Sequence, residues 1–126
     1  MPGLCFPSTN TCQIFAQKII DAGSSASFVT QNECYSLAII TVKASYDSAA
    51  SKGVRVRWLY SANGQDFDSA YDAEDAGNYE DLTFSAGSTR TRTCLIPLLQ
   101  KFTKIEIINL DESYSVTVDV WRKLIG

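Results

Sequence analysis

Between Val54 and Ser61 the chain alternates: Val54, Val56, Trp58 and Tyr60 fall on one side of a two-residue repeat, and Arg55, Arg57 and Ser61 on the other. A half-buried strand has this period, because successive side chains leave a pleated backbone on opposite sides. Asn63-Gly64 follows. A dipeptide that reaches positive φ at little cost after such a run predicts a tight turn, with Phe67 to Tyr71 returning as the partner strand. Lys104 to Asn109 and Ser115 to Trp121 alternate in the same way and read as a second hairpin joined by Leu110 to Tyr114. Cys34 to Tyr46 is apolar on both alternating faces, which predicts a central strand covered on both sides. From Thr89 to Ile96 threonine alternates with arginine before the run turns apolar; Pro97 ends it, since proline donates nothing to a ladder.

The remaining segments are weaker. Gln13 to Ala22 suits either a helix face or a strand, and its β-branched content favours the strand. Gly23-Ser24-Ser25 reads as a turn into a short strand from Ala26 to Thr30. Tyr79 to Phe84 reads as another strand, after an acidic, flexible stretch from Asp72 to Asn78. About eight short strands at roughly ten-residue spacing, without a helical period, predict an all-β chain: a single antiparallel, jelly-roll-like β-sandwich over residues 13–126. Its core is predicted to hold Val54, Val56, Trp58, Ile105, Ile107, Val116, Val118 and Val120. Residues 1–12 carry two prolines, a glycine and Ser8-Thr9-Asn10-Thr11, and read as an N-terminal arm.

Composition narrows the function classes. A chain of 126 residues with 45% hydrophobic and 20% charged residues buries one substantial core. Its net charge of −3 argues against nucleic acid as a partner, and no apolar run is long enough to cross a membrane. The N-terminus has neither a basic leader nor an unbroken apolar stretch, so a secretory signal is not expected and synthesis in a host cytoplasm is. Histidine is absent from the sequence, which removes the commonest general acid/base and metal ligand, and no enzyme is expected.

Asp66, Asp68, Asp72, Glu74, Asp75, Glu80 and Asp81 gather hard oxygen ligands in one region. Their spacing matches no calcium loop, and they read as a solvated acidic loop rather than a metal site or a glycosidase pair. No cofactor is expected. The four cysteines lack zinc spacing. Cys34 and Cys94 adjoin apolar strands and read as small buried hydrophobes, while Cys5 and Cys12 bracket a loop that a disulfide suits in an oxidising compartment.

Candidate contact residues come from charge and aromatic placement. Arg55 with Arg57, and Arg90 with Arg92, each project from one sheet face at i, i+2 spacing. Two readings stand for them: ion pairs to a neighbouring subunit, and plain solvent-facing charge. Trp121 lies opposite Val116, Val118 and Val120, where an outward aromatic marks a contact surface. Leu4 and Phe6 in the arm are apolar groups that gain by burial, against their own sandwich or a neighbour.

The stretch Trp58-Leu59-Tyr60-Ser61-Ala62-Asn63-Gly64-Gln65-Asp66-Phe67 resembles a hairpin common in discoidin-like and carbohydrate-binding jelly rolls. Lys104 to Asp111 followed by Ser115 to Trp121 resembles the closing hairpin of small β-sandwich proteins of virions, including phage capsid decoration and tail-associated subunits. The second resemblance implies a structural, homo-oligomeric protein of the virion that contacts itself or other virion proteins. The first implies a carbohydrate-binding module; a subunit of an extracellular filament is the remaining alternative.

Overall fold

The computed structural model describes residues 11–126, and the expectations resting on Leu4, Cys5 and Phe6 lie outside the described residues. The described residues form eight strands: β1 (Cys12–Ile20), β2 (Ser25–Gln31), β3 (Leu37–Tyr46), β4 (Val54–Ser61), β5 (Tyr79–Asp81), β6 (Thr89–Pro97), β7 (Phe102–Asn109) and β8 (Val116–Ile125). One short helix, α1 (Ala70–Asp75), lies between β4 and β5. The first sheet has the order β1-β8-β3-β6 and the second β2-β7-β4-β5, and every pairing is antiparallel. Each strand bonds the one equally far from the other end of the chain: β1 with β8, β2 with β7, β3 with β6, β4 with β5. This nesting is the jelly-roll arrangement of a β-sandwich, as the strand count and spacing predict.

The predicted core residues are all buried. Val54, Val56 and Trp58 of β4 face inward beside Ile107 and Ile105 of β7, while Val116, Val118 and Val120 of β8 face inward beside Tyr46, Ala44 and Val42 of β3. Two inner faces of β-branched residues thus meet between the sheets. Fully burying each such side chain contributes about 1.5–3 kcal/mol, and this double layer supplies most of the cohesion of the fold.

Four expectations are corrected. First, β3 is not covered on both sides: Ala38, Ile40, Val42, Ala44 and Tyr46 are buried, but Leu37, Ile39 and Thr41 are only half-buried and Lys43 and Ser45 exposed. Its apolar outer residues sit near one end of the strand, and that mimicked two-sided burial. Second, β7 and β8 are not a hairpin, since they belong to different sheets and residues 110–115 cross between them. Third, Phe67 to Tyr71 is not a strand. Gly64 does adopt positive φ (82°), but the chain then runs through a loop into α1, and the partner of β4 is β5. The loop absorbs its own polar groups: Ser61 Oγ accepts from the Gly64 N–H at 2.9 Å, and Asn63 Oδ1 accepts from the Gln65 and Asp66 N–H groups at 2.9 and 2.8 Å. A Cβ on Gly64 would sit 3.1 Å from the Phe102 ring.

The fourth correction concerns Asp72 to Asn78. The stretch is not a flexible acidic loop, for most of it lies in α1 and its C-terminal cap. Ser69 caps the helix by accepting from the Asp72 N–H at 3.0 Å, and its hydroxyl donates back to the Asp72 carboxylate at 2.9 Å. A carboxylate in the first turn also suits the helix dipole. Ala73 is the buried residue through which the helix seats.

Candidate functional site

Arg55 and Arg57 stand on the outer face of the second sheet, and their carboxylate partners lie within the same chain. Arg55 bonds Glu74 at 2.7 Å and holds Asp81 with two bonds, at 2.7 and 3.1 Å. Arg57 bonds Glu106 at 2.9 Å and also Glu74. The Arg55 guanidinium lies 4.4 Å from the centroid of the Tyr79 ring. Glu74 of α1 therefore bridges both arginines of β4 and holds the helix against the sheet. Hydrogen bonding to Asp81 raises the Arg55 pKa further above its ordinary value, so the charge is permanent. Two members of the carboxylate cluster read from the sequence, Glu74 and Asp81, are engaged here, and no group of ligands fit for a metal occurs among the described residues.

Arg90 and Arg92 of β6 do share a face, and it is the inner one. They stand opposite the buried Ala44 and Val42 of β3, but β5 in the facing sheet is only three residues long and leaves them at an open margin. There Arg92 bonds Glu80 of β5 at 3.1 Å and so links the two sheets. Cys94, the next inward residue, is buried, and desolvation pushes its thiol pKa up to about 12. Cys94 fits the reading of a small buried hydrophobe; Cys34 does not, for it is disulfide-bonded. The bridge between Cys5 and Cys12 is also corrected: the Cys12 thiol is free and exposed at the start of β1.

The link from β7 to β8 contains a polar hub that the sequence reading missed. Asn109 takes the inward position after Ile105 and Ile107; its amide donates to the carbonyls of Ile20, Asp21 and Tyr114, at 3.2, 3.3 and 2.9 Å. The buried Asp111 carboxylate accepts from the N–H groups of Ser51, Lys52, Ser113 and Tyr114 at 2.7 to 3.1 Å. These bonds stabilise the ionised form and hold its pKa well below the usual carboxylate range. Three connections are pinned at this end of the sandwich. A polar residue at the inward position that follows Ile105 and Ile107 was the available signal.

The outer face of the first sheet is the best candidate for contact with other molecules. Near one end it is a polar ladder, in which Thr41 bonds Thr93 at 2.9 Å and Ser45 bonds Thr89 at 3.0 Å. Toward the other end it is mostly apolar, with Lys123 of β8 beside Ile39 between Trp121 and Ile125. Ile39 stands beside Leu95, and Leu37 beside Pro97 on one side and Ile125 on the other. Leu95 is 61% exposed, and Leu99, just beyond β6, is 72% exposed. Trp121 borders this region from β8, half-buried beside Thr41. Of the predicted contact residues that lie among the described residues, only Trp121 belongs to this face. Deeper along β8, Asp119 is held by Gln17, whose backbone N–H and side-chain amide reach its two carboxylate oxygens at 2.8 and 2.9 Å. Gln17 has positive φ (49°) where β1 bulges away from regular pairing.

No protein-family model and no curated protein matches the chain. Among solved structures it is similar in fold to part of a family GH115 4-O-methyl-α-glucuronidase, BtGH115A, with specificity for decorated arabinogalactans. The TM-score is 0.51 at 12% identity, with 94% of this chain covered and 17% of that one. The likeness is one of β-sandwich architecture, to a segment of a much longer enzyme.

Proposed function

We propose that this chain is a non-enzymatic structural subunit of a virion, of the capsid decoration or tail-associated kind, that acts by self-association or by attachment to a repeating protein lattice. The observation that carries the reading is the apolar end of the outer face of the first sheet, where Leu95 stands exposed beside Ile39 with Trp121 near it. Apolar surface of this sort on a regular sheet gains by burial against protein. The arginines and carboxylates best suited to chemistry are engaged in internal ion pairs.

The test is the mass of the wild-type chain and of Leu95→Lys by light scattering, with electron microscopy for particles or filaments. Assembly by the wild type and its loss in a folded Leu95→Lys variant support the reading; a wild type that assembles with nothing overturns it. A carbohydrate-binding module is the second reading. It is favoured by the fold likeness to part of an arabinogalactan-directed glycosidase, and binding on a glycan array by a chain that does not assemble puts it first.

A further inference from the structure

Among the described residues the sandwich has four edge strands, and three of them are guarded. β1 bulges twice, between Gln13 and Phe15 and between Phe15 and Lys18, and turns through positive φ at Gln17. β5 is three residues long. β6 sends Arg90 and Arg92 into the margin between the sheets and ends at Pro97. Bulges, short length, inward charge and proline are the usual devices against edge-to-edge pairing. β2 has none of them: Ser-Ala-Ser-Phe-Val-Thr-Gln carries no charge, no proline and no glycine, and it pairs with β7 in unbroken register.

The direction of its free backbone groups follows from the bonds at its two ends. Ser24 O accepts from the Asn109 N–H at 2.9 Å, and the Asn32 N–H donates to Lys101 O at 2.7 Å. Even-numbered residues therefore bond β7, and in an antiparallel ladder the alternate residues point the other way. The N–H and C=O groups of Ser25, Ser27, Val29 and Gln31 thus face away from β7, toward the open edge. Val29 is 48% exposed.

We infer that β2 is a self-pairing edge, and that its partner is β2 of a second copy of this chain, antiparallel about a two-fold axis through Phe28. This goes beyond the proposed function and uses the other sheet. With Phe28 on the axis, Ser27 meets Val29 of the second copy and Ser25 meets Gln31. Each is a pair of outward-bonding residues, so about eight new backbone hydrogen bonds close the edge. No other centre engages all four outward residues. The side chains agree with this register. On the outer face Ser27 lies against Val29 and Ser25 against Gln31, so no like charges meet. On the inner face Thr30 lies against the small Ala26. Phe28 meets its own copy as the close, non-bonded pair, and its ring is already positioned by the Phe15 ring at 5.8 Å in an edge-to-face contact. The isologous pairing turns two four-stranded sheets into one continuous eight-stranded sheet.

The experiment combines mass by sedimentation with residue-resolved amide exchange. In the Leu95→Lys background, which removes the contact of the first sheet, the expected result is a particle of twice the 13.9 kDa chain mass in which the Ser27 and Val29 amides exchange as slowly as those of Phe28 and Thr30. On dilution to single chains, Ser27 and Val29 should exchange at least about tenfold faster while Phe28 and Thr30 stay slow. Val29→Pro removes an outward donor and leaves the β7 ladder intact, so it should return the mass to one chain. Val29→Lys, which keeps the N–H and adds charge to the edge, should do the same if the proline variant does not fold. A mass of one chain at every concentration overturns the inference. So does fast exchange at Ser27 and Val29 in a particle that has doubled, an outcome that leaves the proposed function standing. Leu95→Lys should leave the β2 exchange pattern unchanged.

Discussion

Replacing Trp58 by alanine tests the inward face of β4 most directly. The indole is 7% exposed, and Trp58 stands opposite the fully buried Ile105 of β7 in a layer that also holds Val56 and Ile107. Those neighbours are β-branched and fixed on two hydrogen-bonded sheets, so they cannot move in to fill the space. The loss should therefore combine lost transfer energy with a cavity cost, about 3–5 kcal/mol. Against a total stability of about 5–15 kcal/mol for a domain of this kind, that is about a fifth of the whole or more, and it should lower the Tm by roughly 10–20 °C. Guanidinium unfolding followed by far-ultraviolet circular dichroism measures it, with an unchanged m-value as the sign that the unfolded state is the same. Trp121→Ala is the matched control: its ring is half-buried on an outer face, and the expected cost is about 1 kcal/mol. A loss below about 1 kcal/mol for Trp58→Ala would place the indole outside the core, with β4 slipped by one residue.

Three other outcomes are expected. Asp111 has its pKa lowered on folding, so its contribution to stability is present above the unfolded carboxylate value near about 4 and is lost as pH falls toward its lower folded value. Wild-type stability should fall more steeply with acid than that of Asp111→Asn in paired denaturation series, and parallel curves would refute the hub. Glu74→Ala removes the group that joins α1 to Arg55 and Arg57, itself a third exposed, and should cost about 1 kcal/mol. Proteolysis in the loop from Ala62 to Asn78 should quicken, and an unchanged cleavage rate would mean that Ala73 alone seats the helix. Under native conditions near pH 8 a thiol reagent should label exposed Cys12 and spare Cys94, whose pKa stands near 12; peptide mass spectrometry reads both, and fast labelling of Cys94 would show that the β5–β6 margin opens.

The faces of the strands were legible because a period of two is a local property. Val54, Val56, Trp58, Ile105, Ile107, Val116, Val118 and Val120 can each be placed inward from the residues on either side of them, and all are buried. The length and seat of α1 were not legible, since six residues give no helical period. Ser69-x-x-Asp72 is a readable cap, but the Asn63-Gly64 turn predicts a returning strand over the same residues.

Partners are a different kind of information. In a nested arrangement only the innermost pair, β4 with β5, joins neighbours in sequence, and even these are separated by a loop and α1. Every other pairing is set by strands far apart in the chain, while a reading built on turn signals favours hairpins. Leu110 to Tyr114 gives such a signal, and it points to β7 and β8 as partners. What sends them to different sheets is chemistry in the link itself. Asn109 and Asp111 find donors and acceptors in the β1–β2 and β3–β4 connections, and a two-residue turn would have left those groups buried without partners. The same reasoning accounts for the arginines. Their spacing showed that Arg55 and Arg57 share a face, but the carboxylates that neutralise them come from α1, β5 and β7. Whether a charged pair faces solvent, a neighbour or its own chain is decided by those tertiary partners, and on β4 they are internal. The two proposed contacts use surfaces that carry no such pairs, the outer face of the first sheet near Leu95 and the uncharged edge of β2.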